Sequence, residues 1–86
     1  MVHVTVRLGD PIWRQAGKKE ITVALALGAT EADLVDVLVD LYPGLSSFLT
    51  DAELPLLAIR EEELIKNDTV LADGDTIMFV LTVAGG

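Results

Sequence analysis

Val2, Val4, Val6 and Leu8 alternate with His3, Thr5 and Arg7, the period-two pattern of a strand with one buried face. Gly9-Asp10-Pro11 breaks that pattern, and the stretch from Pro11 to Lys19, with Gly17 near its far end, reads as a hairpin connection. Ile21, Val23 and Leu25 alternate with Thr22 and Ala24 and give a second strand. Gly28-Ala29-Thr30 then opens a helix. Thr30 is a good N-cap, Asp33 three residues on makes a near capping box, and Glu31 and Asp33 suit the positive end of the helix dipole. Leu34, Leu38 and Leu41, with Val35, Val39 and Tyr42, form one broad apolar face, and Asp33, Asp36 and Asp40 the wet one. Pro43-Gly44 ends the helix at Tyr42.

Leu45 to Asp51 reads as irregular chain or a short helical turn, with Leu45, Phe48 and Leu49 plugging an end of the core. Leu56 to Ile59 is a third strand with Pro55 as its first residue. Glu61-Glu62-Glu63 marks a solvated turn into a short strand around Leu64-Ile65, and Asn67-Asp68 and Asp73-Gly74-Asp75 are turns. Thr76 to Val83 is the last and most apolar strand. Ile77, Phe79, Leu81 and Val83 face the helix, while Met78 and Val80 point out of the other face. A strand apolar on both faces belongs in the middle of a sheet. One amphipathic helix must cover one face of one sheet. The expected fold is therefore two-layer α+β, a mixed sheet of four to five strands packed on one main helix. Nothing in the pattern supplies a second layer over Met78 and Val80.

Composition narrows the functional classes. Eighty-six residues make one small domain, expected over residues 1–83 with a flexible Ala-Gly-Gly tail at 84–86. A hydrophobic content of 51% excludes disorder. The absence of cysteine excludes disulfides, thiolate metal sites and a cysteine nucleophile. The N-terminus does not read as a signal peptide, and no apolar run approaches the ~20 residues of a membrane span, so a cytoplasmic location is expected. A formal net charge of −8 repels nucleic acid and anionic lipid and favours a basic protein partner. High apolar content beside strong acidity suggests an apolar docking face kept soluble by charges elsewhere.

Candidate chemistry is sparse. His3 is a lone histidine on an outer strand face and reads as solvated. Trp13 reads as packing over a core edge. No elbow motif surrounds Ser46 or Ser47. Asp73 and Asp75 flank Gly74 without the further spaced ligands a calcium loop requires, so the turn reading stands and no metal site is expected. What remains is Ala84-Gly85-Gly86, directly after an apolar strand. Glycines without side chains let a tail thread a narrow channel and present a bare carboxylate.

The chain resembles the MoaD/ThiS family of ubiquitin-like sulfur carriers over nearly its whole length. The strongest match is Leu71-Ala72-Asp73-Gly74-Asp75, the strand Thr76 to Val83, and Ala84-Gly85-Gly86. Gly28 to Leu34 is similar to the family's helix start, and Leu41-Tyr42-Pro43-Gly44-Leu45 to the helix exit of the molybdopterin-synthase small subunit. Val80-Leu81-Thr82 stands where that branch commonly has Phe-Pro-Pro, which leaves the pathway open. The resemblance implies a β-grasp fold and a carrier with no catalytic residue and no bound cofactor of its own. An adenylyltransferase related to ubiquitin-activating enzymes would use ATP to activate Gly86, which then becomes a thiocarboxylate. Gly85 and Ala84 would keep the tail slim. Met78, Val80 and Thr82 would form the partner interface, with Thr5, Ala24 and Ala58 bordering it. The implied acceptor is the large subunit of molybdopterin synthase or another sulfur-accepting enzyme. Thiamine, tRNA thiolation and amino-acid biosynthesis are alternative destinations. A modifier joined to lysines through Gly86 and a plain ubiquitin-like binding domain with an inert tail are readings of other classes.

Overall fold

The computed structural model describes residues 1–51 and 56–82. Pro55, Val83 and the tail residues Ala84, Gly85 and Gly86 lie outside them. The elements run β1 (Val2–Leu8), α1 (Ile12–Ala16), β2 (Glu20–Leu25), α2 (Glu31–Leu41), a 3-10 turn (Pro43–Leu45), α3 (Ser46–Leu49), β3 (Leu56–Arg60), β4 (Glu63–Leu64) and β5 (Thr76–Leu81). The strands form one mixed sheet in the order β2-β1-β5-β3-β4. β5 pairs parallel with β1 and antiparallel with β3, so the strand that is apolar on both faces lies at the centre. This is the two-layer mixed sheet that the hydrophobic pattern predicts, in the ubiquitin-like β-grasp arrangement that the resemblance implies.

Alternation sets the core. Val2, Val4, Val6 and Leu8 are buried and meet Ile21, Val23 and Leu25 of β2. Ile77 and Phe79 of β5 lie between them and β3, and Leu34 and Leu38 of α2 close the layer. Each such side chain contributes roughly 1.5–3 kcal/mol on burial. The start of α2 is the capping box that the sequence suggests. The Thr30 backbone N–H donates to Asp33 Oδ2 at 2.9 Å, and the Asp33 N–H donates to Thr30 Oγ1 at 3.4 Å.

Three details differ from the sequence expectation. The connection between β1 and β2 contains a helix, α1, where the sequence reads as a hairpin connection. Its Ile12 is fully buried, and Gly17 closes it at φ +75°, with its N–H donating to the Trp13 carbonyl at 2.8 Å. Trp13 is half-buried, with Arg14 5.3 Å and Lys19 5.0 Å from its ring centroid. Secondly, Leu41 is 58% exposed although it shares the α2 face of Leu34. It is the last residue of the helix, and the 3-10 turn after it sends Leu45 into the core instead. Thirdly, Ala58 packs against the core and does not face outward with Met78.

Candidate partner face and tail exit

The sheet face opposite α2 carries no second layer among the described residues. Register defines its rows. Arg7 of β1 lies beside Met78 of β5, which lies beside Ile59 of β3. Val80 pairs with Leu57, and Thr5 with Thr76 and Thr22. Met78 is 38% exposed, Val80 is half-buried and Thr82, just past the strand, is exposed. Thr5 shares the face but sits next to Thr76, and Ala24 pairs with His3 on the far side of β1. The bordering residues are therefore Arg7, Leu57 and Ile59. The expectation of Ala58 on the outer face turns Leu57 and Ile59 inward, and the pairing register reverses that parity. The β3 run Leu56-Leu57-Ala58-Ile59 is apolar at every position, the same signal that marked β5 as central.

A shallow depression of about 420 Å³ deepens the face, with Arg7, Ile59, Thr76 and Met78 in its lining. Its charges are mostly paired. Arg7 Nε lies 3.4 Å from Glu20 Oε2, and Arg60 Nη1 lies 3.0 Å from Asp75 Oδ2.

The Asp73-Gly74-Asp75 turn is what aims β5. Gly74 adopts φ +87°, a conformation that disfavours any side chain, and its N–H donates to the His3 carbonyl at 2.8 Å. Asp73 Oδ1 accepts the His3 backbone N–H at 2.7 Å and sits 3.3 Å from His3 Nδ1. These hydrogen bonds, the backbone one first, hold the Asp73 carboxyl below its ordinary pKa. Asp75 Oδ2 accepts from the Ala72 N–H at 2.8 Å. The turn is thus stitched to β1, and that fixes the register of β5 on β1. At the far end, the Gly9 N–H donates to the Phe79 carbonyl at 2.9 Å. A Cβ on Gly9 would stand 3.3 Å from both that oxygen and Val80 Cγ1, so glycine permits the close approach.

His3, Ser46 and Ser47 do not converge. Among the described residues, no group of three or more His, Cys, Asp or Glu is placed to hold a metal ion. No helix among them is long and apolar enough to cross a membrane. The expected tail residues Gly86, Gly85 and Ala84 lie outside the described residues. What the structure describes is the strand that leads to them.

A central parallel pair, a capped helix over one face and an open opposite face define a ubiquitin-like domain. No family model matches the chain, and neither does any curated protein. Solved structures do. SAMP1 from Haloferax volcanii is similar with a TM-score of 0.85 at 24% identity, covering 98% of this chain and 99% of its own. A chain of the complex of subunits 1 and 2 of the molybdopterin-converting factor from Helicobacter pylori matches with a TM-score of 0.71 at 24% identity, covering 99% and 100%. A chain of the BexX/CysO complex from Amycolatopsis orientalis matches with a TM-score of 0.76 at 24% identity, covering 96% and 99%. At these identities the likeness is one of fold, and it is the fold that the MoaD/ThiS resemblance implies.

Proposed function

We propose that this chain is a sulfur carrier of the MoaD/ThiS type, loaded at the carboxyl of Gly86 and donating sulfur in molybdopterin biosynthesis. The observation that carries the reading is β5. It lies at the centre of the sheet, is apolar on both faces, and runs from a turn pinned to β1 towards Ala84-Gly85-Gly86.

The chemistry requires little of the carrier. A carboxylate is a poor electrophile, so an adenylyltransferase first joins the Gly86 carboxylate to AMP, with pyrophosphate leaving ATP. A persulfide sulfur attacks the acyl carbon and AMP leaves. A thiol then cleaves the resulting acyl disulfide, leaving the thiocarboxylate on Gly86 and a disulfide elsewhere. No side chain of this chain acts as acid, base or ligand in these steps. ATP belongs to the activating enzyme. The carrier supplies the end group, the slim Gly85 and Ala84, and a docking face of Met78, Val80 and Thr82 joined by Arg7, Leu57 and Ile59. The likeness to a chain of a two-subunit molybdopterin-converting factor supports an acceptor subunit as partner.

A second reading is a protein modifier attached to lysines through Gly86. The likeness to SAMP1, a small archaeal modifier protein, favours it over the remaining alternatives. The two are separated by adding a single residue after Gly86 and by deleting Gly86, each followed in cells. Loss of molybdenum-cofactor-dependent activity without any isopeptide-linked ladder in the parent supports the carrier. A ladder that vanishes with Gly86 while the cofactor is still made supports the modifier. Full function with the terminus blocked contradicts both.

A further inference from the structure

On the helix side of the sheet, away from the Met78 face, a groove of about 350 Å³ runs between α2 and β3. Val35, Leu49, Leu56, Ile65 and Phe79 contribute apolar walls, and Glu31 is the most buried acid in its lining. Glu31 is only 6% exposed, although it is the first residue of α2. A carboxylate there ordinarily takes up the free N–H groups of the first turn. Those groups are already used. Glu31 N–H donates to the Thr69 carbonyl at 3.0 Å, Ala32 N–H to the Asn67 carbonyl at 3.1 Å, and Asp33 N–H to Thr30 Oγ1 at 3.4 Å. The Glu31 side chain takes part in no hydrogen bond or ion pair among the described residues. Among the described residues, no polar side-chain atom is sealed from solvent without a partner, so the Glu31 oxygens keep an opening, and the groove lies against them. Desolvation accordingly raises the carboxyl above its ordinary pKa.

Asp36 and Asp51 also line the groove, and no lysine or arginine does so among the described residues. The three acids form no metal-holding group. A desolvated carboxylate above apolar walls matches an ammonium on a methylene stem, whose charge and chain need those two surroundings. The chain carries 14 Asp and Glu against 6 Lys and Arg, which draws basic proteins towards it.

We propose that the groove between α2 and β3 is a docking site for a lysine side chain of a partner protein, with Glu31 as the counter-ion and Val35, Leu56 and Ile65 along the stem. This goes beyond the carrier reading and uses neither Gly86 nor its activation, so either can fail alone.

The test is an amide-resolved NMR titration of the full chain with a blocked Ala-Lys-Ala peptide. Saturable shifts are expected at Ala32, Val35, Ile65 and Asn67. Acetylating the peptide lysine should weaken binding at least tenfold, and Glu31→Gln should do the same while Asp40→Asn leaves it unchanged. Four results would overturn the proposal: no groove shifts, shifts spread evenly over the acidic surface, equal binding of the acetylated peptide, or butylammonium binding as tightly as the peptide, which would mark a site for free amines. The acetylated-peptide comparison uses the unmodified protein, so the test stands whatever Glu31→Gln does to folding.

Discussion

Arg60 Nη1 lies 3.0 Å from Asp75 Oδ2 and donates a second hydrogen bond, at 3.1 Å, to the Val70 carbonyl. The pair ties the end of β3 to the turn that launches β5. Its side chains are only 28% and 14% exposed, so solvent screens it less than a surface pair. Removing one partner strands the other. Asp75→Ala should therefore cost about 1–3 kcal/mol, and Arg60→Ala a similar amount. The double mutant should cost clearly less than the sum. Urea denaturation of the three variants measures this, and strict additivity would show that the pair is not coupled.

Met78 is the cleanest position for testing the partner face. It is exposed, sits between Arg7 and Ile59, and is not in the buried core. Met78→Asp should weaken binding to the activating enzyme or the acceptor subunit by tenfold or more, because it places a charge at the centre of an apolar patch. Its melting temperature should stay within a few degrees. Val80→Asp should lose binding and stability together, since Val80 is half-buried against Gly9. Titration calorimetry with thermal melts separates the two effects. Unchanged binding by Met78→Asp would move the interface off this face.

Glu31 makes stability depend on pH with a definite sign. Burial raises its folded-state pKa, so the folded protein holds this proton more tightly than the unfolded chain. The resulting stability is fully present below the unfolded carboxylate pKa and is lost as pH rises through the folded one. Glu31→Gln should thus raise the melting temperature at pH 7, and the gain should shrink towards zero at about pH 3. A gain independent of pH would mean that the effect is not ionisation.

Phe79 tests the central strand. It is fully buried between β1 and β3, with Leu8 and Ala58 as its register partners. Phe79→Ala should cost about 3–5 kcal/mol, a large share of the ~5–15 kcal/mol that holds a small domain together. Circular dichroism in denaturant should show a much lower midpoint. A loss under 1 kcal/mol would contradict its place in the core.

The strands, α2 and the central position of β5 were legible because each rests on local periodicity. Val2 to Leu8 alternates as buried and outward positions along β1, and Thr30 with Asp33 announces the helix start within four residues. What escaped depends on contacts between distant segments. Arg60 and Asp75 are 15 residues apart, and nothing near either names the other. Leu41 obeys the helical period yet is exposed, because Leu45 fills that end of the core from the following turn. α1 was readable in principle. Ile12 and Ala16 are spaced four apart and Gly17 follows as a helix-ending glycine, but five residues between turn signals looked like a loop. For the site, Met78 and Val80 followed from the parity of β5. Arg7, Leu57 and Ile59 required the pairing register, which the sequence does not state. The groove at Glu31 was hidden for the same reason. A first-turn glutamate looks solvated until the 67–69 segment is seen to take the helix N–H groups.

The central claim is that Gly86 is the point of sulfur loading, and intact mass spectrometry tests it most directly. The full chain is incubated with ATP, a candidate adenylyltransferase and a persulfide source, beside a variant lacking Gly86. A mass gain matching replacement of one oxygen by one sulfur, present in the full chain and absent from the variant, is the predicted result. An unchanged mass across several such enzymes, or the same gain without Gly86, would contradict it.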